Sequence, residues 1–278
     1  GLRPNAAAFC LALGRMASLA LANLKRIDIE RRQALIEAEL SAAAAAQRWI
    51  LPRREARIGV FSYLGESRPG QYVGGDFFDV IPLGENKIAV ALGDVSGKGI
   101  PASVLMTASQ GFLHAALLEH GRPDRAVTNL NRFVNPRRPE NKFITLWVGV
   151  FDAAAGTLSY VDAGHGYGIM LREDGTFEPL AGGEGLPIGV DADSIYQATT
   201  VPLPAGGAAL IVSDGIIEQP GAGNTPAFEM EGVRRAISLP APDRVAALFD
   251  AVIAHAATDK LSDDATAVMV RWEASTPA

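Results

Sequence analysis

Short acidic motifs are the residues of this chain best suited to do chemistry. Each places an aspartate beside glycine or a second aspartate, and taken singly such a motif is more often a turn than a site. Their value depends on whether the fold brings them together. The motifs are Gly74-Gly75-Asp76, Gly93-Asp94-Val95-Ser96-Gly97-Lys98-Gly99, Ser213-Asp214-Gly215 and Asp263-Asp264-Ala265-Thr266.

The spacing of Asp76 and Asp94 places them opposite each other in a predicted hairpin. They are equidistant from Glu85, which lies in a polar turn. If Val73–Val80 and Lys87–Val95 pair antiparallel, opposed Cβ atoms are roughly 5 Å apart and the like charges repel. A neutralising group is therefore expected between them.

A second pair of aspartates flanks two apolar runs. Asp214 follows Ala208–Val212, and Asp263 precedes Ala265–Val270. Antiparallel pairing of these runs brings the end of the first beside the start of the second. Both pairs of aspartates are then expected at strand ends, where a pocket can open.

Several carboxylates without histidine or cysteine partners favour hard cations, namely Mg²⁺ or Mn²⁺. Two such ions can lower the pKa of a bridging water and stabilise an in-line displacement at phosphorus. A structural Ca²⁺ site is the alternative, but it more often uses one compact loop. The wide separation of these aspartates in the sequence favours catalysis.

The elements that must position these residues change character after Pro52. The sequence predicts a helix over residues 5–51, and helices over Pro101–Glu119, Arg125–Asn135 and Asp243–Ala257. Strand runs alternating with helices predict a two-layer β core with helices outside it. The predicted strands are Arg57–Leu64, Lys87–Gly93, Phe143–Phe151, Thr157–Asp162, Gly166–Arg172, Ser194–Val201, Ala208–Val212 and Ala265–Trp272.

The N-terminal helix carries a short heptad pattern. Apolar residues recur every seven positions, with Leu40 beside them and Gln33 and Gln47 as polar members. An amphipathic helix packed on its own domain and a parallel dimerising linker both fit this pattern. We expect residues 1–52 to be a helical linker or dimerisation segment and 53–274 to be a separate domain. The repeated residues are Ile29, Ile36, Ala43 and Ile50.

The composition argues against several classes of protein. The formal net charge of −6 argues against a nucleic-acid-binding surface. Cys10 is the single cysteine, so a disulfide within the chain is impossible and a reducing, cytoplasmic setting fits. The stretch from Ala6 to Leu24 is apolar, but its Gly14, Arg15 and high alanine content favour a buried helix over a membrane span.

In this order, the motifs resemble the metal-dependent PPM (protein phosphatase 2C-like) family, in its bacterial branch of stage II sporulation protein E (SpoIIE) and RsbU. The resemblance covers about residues 47–272. Besides the four acidic motifs, it rests on Phe77-Phe78-Asp79, Phe143-Ile144-Thr145-Leu146, Ala163-Gly164-His165, Gly185-Leu186-Pro187-Ile188-Gly189 and Ile216-Ile217-Glu218.

The resemblance implies an α+β fold, an α-β-β-α sandwich of two antiparallel sheets flanked by helices. It also implies two Mn²⁺ or Mg²⁺ ions, a metal-bridging water as nucleophile and no catalytic side chain. The substrate in this branch is a phosphoserine or phosphothreonine on an anti-sigma-factor antagonist. Motif matching assigns the metal to Asp76, Asp94, the Val95 carbonyl, Asp214 and Asp263, with Asp264 in a supporting position.

Departures from the family pattern affect the expected proton donor and phosphate ligand. Ser96 stands where many eukaryotic relatives have a histidine, so the general acid is unassigned. The phosphate-gripping arginine has no clear counterpart; Lys98 is a conceivable substitute, although a solvent-facing lysine is favoured. His165 precedes an unusual Gly166-Tyr167-Gly168 loop and is expected to be structural or to support the metal ligands.

The N-terminal segment resembles the last helix of a GAF-type sensory domain that continues into a linker. Gln47-Arg48-Trp49-Ile50-Leu51-Pro52 is similar to the linker that precedes the phosphatase domain in this branch. The resemblance implies a homodimer formed through this helix and control by an upstream signal.

Other functions are weighed against a protein phosphatase. A catalytically silent relative acting as a binding module would be expected to lose a metal aspartate, and all are present. A phosphatase of small molecules is a further alternative. A cyclase-type Gly-Gly-Asp hairpin lacks its next acidic residue at Phe77, and a P-loop lacks Ser or Thr at Gly99.

Overall fold

The computed structural model describes residues 5–70, 72–139, 141–183, 185–223, 225–238, 241–258 and 260–273. The chain divides into two compact units, Gly1–Ala46 and Gln47–Ala278. The first unit is helical, and the second holds two β-sheets with their helices.

Helix α1 (Ala6–Ile50) forms the described part of the first unit and continues into the second. Its sequence is rich in strong helix formers and has no proline. By length and composition it is long and apolar enough to cross a membrane, a test that signal sequences and soluble core helices also pass.

The predicted helix is confirmed, but the prediction that Ala6–Leu24 is buried is wrong for the single chain. None of the described residues of α1 is buried. An apolar helix face is buried only where another surface packs on it. The heptad positions Ile29 and Ile36 are 55% and 57% exposed.

The second unit contains two antiparallel sheets. The first sheet has the order β1-β2-β11-β10-β7-β8, and the second has the order β3-β4-β5-β6-β9. The strands are β1 Glu55–Ile58, β2 Phe61–Arg68, β3 Phe77–Gly84, β4 Lys87–Val95, β5 Ile144–Asp152, β6 Thr157–Ala163, β7 Gly168–Leu171, β8 Phe177–Pro179, β9 Thr199–Pro202, β10 Ala208–Val212 and β11 Ala265–Trp272.

Three apolar cores separate four layers. One core lies between the second sheet and helices α2 and α3. Another lies between the two sheets, where Trp147, Phe151 and Tyr160 are fully buried. The last joins the first sheet to the remaining helices, which confirms the α-β-β-α sandwich. The helices are α2 Ile100–His120, α3 Pro123–Val134, α4 Asp214–Ile217, α5 Glu229–Ser238 and α6 Arg244–Ala256.

The strand registers that position the acidic motifs agree with those expected from spacing. In the β3–β4 hairpin, Phe77 pairs with Gly93, so the next positions outward are Asp76 and Asp94. In the β10–β11 pair, Val212 pairs with Ala267. The end of β10 and the start of β11 therefore meet.

Some local predictions were wrong. The predicted strand Arg57–Leu64 is a tight hairpin, because Gly59 has φ +57° and a Cβ there would overlap the Glu85 carbonyl. The strand predicted over Ser194–Val201 begins only at Thr199. Strand β8 and helices α4 and α5 were not predicted, since short elements carry little periodicity.

Candidate metal centre

Asp76 lies directly before β3 and is almost completely buried, with 2% of its surface exposed. Neither carboxylate oxygen has a partner at ordinary hydrogen-bond geometry among the described residues, although the Ser213 and Thr266 side chains are near enough to lower the pKa of Asp76. Burial raises the pKa of Asp76 well above its ordinary value, and the nearby charges of Asp94 and Asp264 raise it further. An unpaired buried carboxylate is costly, so Asp76 fits a bound cation.

Asp94 lies near the end of β4, the strand that pairs with β3. Burial raises the pKa of Asp94 to about 7, and the charge of Asp214 contributes in the same direction. Asp94 therefore interacts electrostatically with carboxylates from both sheets. The hairpin and the β10 end thus bring their acidic groups to one place, as the spacing predicted.

Asp214 begins helix α4, directly after β10. Burial raises its pKa, and the charges of Glu218 and Asp263 raise it further. Asp263 is more open, with 48% of its side chain exposed. It forms an ion pair with Lys98, whose Nζ lies 3.0 Å from Oδ2.

Lys98 is exposed, with 42% of its side chain accessible, as the sequence favoured, but it is also held by this ion pair. Its Nζ also donates to the carbonyl oxygen of Ser262 at 2.8 Å. The lysine joins the loop after β4 to the segment before β11. It supports a candidate ligand, Asp263, and balances part of the negative charge of the site.

Asp264 anchors two backbone segments of the site. Its Oδ1 accepts from the Gly70 amide at 2.8 Å and its Oδ2 accepts from the Gly75 amide at 2.6 Å. Both oxygens are thus used by the protein itself, in contrast to those of Asp76. That Asp264 supports the metal ligands stays a prediction.

Close backbone approaches explain two glycines of the motifs. A Cβ on Gly75 would lie 2.8 Å from the Val95 carbonyl oxygen and 3.5 Å from Asp94 Oδ1. A Cβ on Gly215 would overlap the Asp264 carbonyl oxygen. Side chains at these positions would therefore push apart the segments that carry the aspartates.

Ser213 and Thr266 lock the strand ends that carry Asp214 and Asp263. The Ser213 amide donates to the Thr266 carbonyl at 2.8 Å, and the Thr266 amide donates to Ser213 Oγ at 2.9 Å. Both side chains are fully buried. The sequence analysis gave neither residue a role; the signal was their place within the motifs Ser213-Asp214-Gly215 and Asp263–Thr266.

His165 links the β6–β7 turn to β10. Its Nε2 lies 2.8 Å from the Val212 carbonyl oxygen, to which the neutral ring donates. Its amide donates to Asp162 Oδ1 at 2.6 Å. Burial lowers the pKa of His165 to about 4, so the ring is neutral at pH 7.

Ser96 is held in place by hydrogen bonds to the segment before β5. Its amide donates to the Phe143 carbonyl at 2.9 Å, and its Oγ accepts from the Phe143 amide at 3.0 Å. Its carbonyl accepts from Lys142 Nζ at 2.6 Å. Ser96 therefore fixes the loop after β4 against the start of β5.

Two residues near Asp214 had no predicted role in the site. Burial raises the pKa of Tyr167, and the charges of Glu218 and Asp214 raise it further. Glu218 also raises the pKa of Asp214. Tyr167 lies in the loop that departs from the family pattern. That departure was the sequence feature that could have pointed to this residue.

Gln47 connects the end of helix α1 to the loop that carries Gly74, Gly75 and Asp76, which we call the metal loop. Its Nε2 donates to the Gly74 carbonyl at 2.8 Å, and its Oε1 accepts from the Gly74 amide at 3.2 Å. Gly74 precedes Gly75 and Asp76 in the same loop. The sequence analysis treated Gln47 as a polar residue of the heptad pattern and missed this contact.

The carboxylates converge without closing around one point. Among the described residues, no three Asp, Glu, His or Cys side chains are close enough to hold one ion by themselves. Mg²⁺ characteristically keeps several waters and uses only one or two protein carboxylates. The open arrangement of Asp76, Asp94, Asp214 and Asp263 is compatible with that chemistry.

The family model of stage II sporulation protein E (SpoIIE) matches residues 84–273. The chain belongs to the SpoIIE family. Its second unit has the phosphatase fold of that family, as the motif order indicated. The match begins at the β3–β4 turn and includes Asp94, Asp214 and Asp263, whereas Asp76 lies before it.

Sequence comparison with an individual protein leads to the same family. The chain is 31% identical over 190 residues to the phosphoserine phosphatase RsbU of Bacillus subtilis, covering 66% of this chain and 54% of RsbU. It therefore spans about half the length of that relative.

Solved structures share the fold. The SiaA-PP2C domain of Pseudomonas aeruginosa superimposes with a TM-score of 0.76 at 21% identity, covering 87% of this chain and 98% of that domain. The catalytic domain of the serine/threonine phosphatase PstP, solved with two manganese ions, has a TM-score of 0.54 at 20% identity, covering 77% and 99%.

In the metal-free protein, we expect the free energy of unfolding to fall as the pH rises from about 6.5 to about 8. Because the pKa of Asp94 is about 7 in the folded state and 3.8 ordinarily, the folded protein holds a proton that the unfolded chain has lost. That stabilisation disappears as the pH rises through the folded pKa. Urea unfolding in the presence of EDTA, repeated at several pH values, measures this change in the free energy of unfolding.

Asp94→Asn serves as the control and should make the free energy of unfolding less dependent on pH in this window. His165 opposes this fall only in the lower part of the window, because its pKa falls from 6.5 to about 4 on folding and its contribution is nearly complete by about pH 7.5. An unfolding free energy that rises with pH would contradict the electrostatic description of the site.

Proposed function

We propose that this SpoIIE-family domain is a metal-dependent protein serine/threonine phosphatase. The observation that carries the proposal is the convergence of Asp76, Asp94, Asp214 and Asp263 at one edge of the sandwich, with Asp76 buried and unpaired. The 31% identity to a phosphoserine phosphatase over 190 residues supports the same reaction.

We propose Asp76, Asp94, Asp214, Asp263 and the Val95 carbonyl as the ligands of two Mn²⁺ or Mg²⁺ ions. The donor set consists of oxygen atoms alone, which suits both ions. The relative PstP was solved with two manganese ions. When bound, the ions supply a water of lowered pKa as the nucleophile and balance the charge of the phosphoryl group.

The protein's own contribution is to hold the ligands in place. Asp264 fixes the Gly75 amide, Lys98 fixes Asp263, and the Ser213–Thr266 hydrogen bonds join the two strand ends. Such supporting contacts commonly change metal affinity when they are removed. No side chain of the site is proposed as a nucleophile.

We propose that the substrate is a phosphoserine or phosphothreonine on a protein of the anti-sigma-factor antagonist type. This part of the proposal rests on the family, whose curated member RsbU is a phosphoserine phosphatase. A catalytically silent module is the alternative. It is disfavoured because the carboxylates of the site are present and close enough to perturb one another.

Hydrolysis of p-nitrophenyl phosphate should depend on Mn²⁺ or Mg²⁺ and stop in excess EDTA. Asp94→Asn and Asp214→Asn should each lower the rate at least about 100-fold, because each removes a charged ligand of the proposed ions. Glu119→Gln, an exposed residue of α2, is the matched control and should keep the wild-type rate.

A parallel assay compares a phosphoserine protein of the antagonist type with nucleotide substrates. Faster turnover of the phosphoprotein supports the proposed substrate class, whereas faster turnover of nucleotides points to a small-molecule phosphatase. A folded protein that binds Mn²⁺ but hydrolyses none of these substrates would favour the silent module.

We propose that the protein forms a parallel homodimer through the heptad residues of α1. Ile29 and Ile36 are exposed in the single chain and available to pack. Light scattering should give about twice the 29.2 kDa chain mass. The double variant Ile29→Asp with Ile36→Asp should be monomeric. Leu24→Asp, which lies before the heptad pattern, is the control and should remain dimeric. A wild-type protein that is monomeric at high concentration would contradict the proposal.

We propose that the linker helix affects the metal loop through Gln47. Gln47→Ala removes both hydrogen bonds to Gly74 and should weaken Mn²⁺ binding about tenfold, as outer contacts of metal ligands commonly do. Calorimetric titration with Mn²⁺ measures the change. Gln33→Ala on the same helix is the control, and equal affinities for the two variants would argue against this route.

A further inference from the structure

A basic groove lies next to Ser96, in the loop after β4. It has a volume of about 310 Å³ and is lined by Arg138, Asn141, Lys142, Phe143, Gly189 and Val190. We call it the Arg138 groove. Phe143 and Val190 give it an apolar rim, with 38% and 51% of their surfaces exposed.

The wall of the Arg138 groove formed by the loop around Gly189 is held in place by backbone contacts. Ile188 and Ile144 exchange both of their backbone hydrogen bonds, at 2.8 and 2.9 Å. The Gly189 amide donates to Asn131 Oδ1 at 2.8 Å, and Asn131 is fully buried in α3. The wall is therefore fixed to both β5 and α3 before any ligand binds.

Gly189 also positions the arginine. It has φ +91°, and a Cβ there would lie 2.7 Å from Arg138 Cδ and 3.0 Å from Nε. The arginine stem thus lies against bare backbone. Its Nη1 donates only weakly, at 3.3 Å, to the Pro139 carbonyl, and its buried Nε has no partner in the described part of the chain, so several of the five guanidinium donors are unused there.

The cations of the groove have no carboxylate partner within the described part of the chain. The ion pairs found there involve neither Arg138 nor Lys142. Lys142 Nζ donates to the Ser96 carbonyl, which leaves further ammonium donors. Two cations that have no carboxylate partner among the described residues, within one small groove, favour an anionic ligand.

Lys142 links the groove to the loop that follows Asp94. Lys142 contacts Ser96, which is two residues after Asp94 and thus within roughly 7 Å of it along the chain. A polypeptide whose phosphoserine lies at the aspartates must cross the neighbouring surface. An acidic residue two to four positions away from the phosphoserine can reach the groove, since each extended residue spans about 3.3 Å.

We propose that the Arg138 groove binds a carboxylate side chain of the phosphoprotein substrate, close in sequence to the phosphoserine, and thereby selects the substrate. This inference rests on the proposed phosphatase function and extends it to substrate choice. Arg138 provides the planar donor pair that suits a carboxylate, and Lys142 adds a second positive charge. Phe143 and Val190 contact the apolar part of the bound segment.

The test uses two fluorescein-labelled phosphoserine peptides and measures binding to the metal-free full chain by fluorescence anisotropy. One peptide carries glutamates at the second to fourth positions on both sides of the phosphoserine, and the other carries glutamines there. We expect the glutamate peptide to bind at least about tenfold more tightly. Arg138→Glu should abolish or reverse this preference, because it reverses the charge of the groove.

Arg132→Glu is the matched control, an exposed arginine of α3 outside the groove with the same change in net charge. It should keep the preference for the glutamate peptide. Equal binding of both peptides by the wild type, or an equal loss in Arg132→Glu and Arg138→Glu, would overturn the proposal. Because this readout needs no turnover, p-nitrophenyl phosphate hydrolysis by the same preparation tests the phosphatase function separately.

Discussion

Repulsion among buried carboxylates is the constraint on which the site depends. Asp76 and Asp94 come from one sheet and Asp214 from the end of the other, and each raises the pKa of a neighbour or has its own raised. Two compensations are visible in the protein itself. The carboxylate of Asp264 accepts hydrogen bonds from two backbone amides, and Asp263 forms an ion pair with Lys98. Asp76 has neither, which makes it the residue most dependent on a bound cation.

The two-sheet sandwich supplies the rigidity that this arrangement requires. The inter-sheet core of Trp147, Phe151 and Tyr160 fixes the distance between the sheets. The hydrogen bonds between Ser213 and Thr266 then fix the strand ends. Like charges held on flexible loops would move apart, whereas charges held on packed strands must be neutralised in place.

Two different regions of the protein contact the backbone around the site. On one side, Gln47 links the metal loop to the end of helix α1. On another, the Ser96 loop leads to the cations of the Arg138 groove. The first region suits control by the helical segment, and the second suits recognition of an anionic protein segment. Both contact backbone next to proposed ligands rather than the ligands themselves.

The sequence by itself determined the parts of the fold that depend on local periodicity and pairing. The β3–β4 register followed from the symmetry of Asp76 and Asp94 about Glu85, and long elements such as α2 and β11 followed from their patterns. The four aspartates were recognisable because their motifs occur in a specific order. Proline-free, alanine-rich sequence likewise predicted α1.

Only the tertiary structure decided how residues distant in the chain act on one another. The exposed Lys98 forms an ion pair with Asp263 that the sequence did not predict, because nothing local shows that the two residues are neighbours. Residues 6–24 are not buried in the single chain although burial was predicted, since hydropathy does not say whether a partner surface is present. The roles of Gln47 and Arg138 depend on contacts with Gly74 and Gly189. Such contacts between distant segments leave no periodic signal in the sequence.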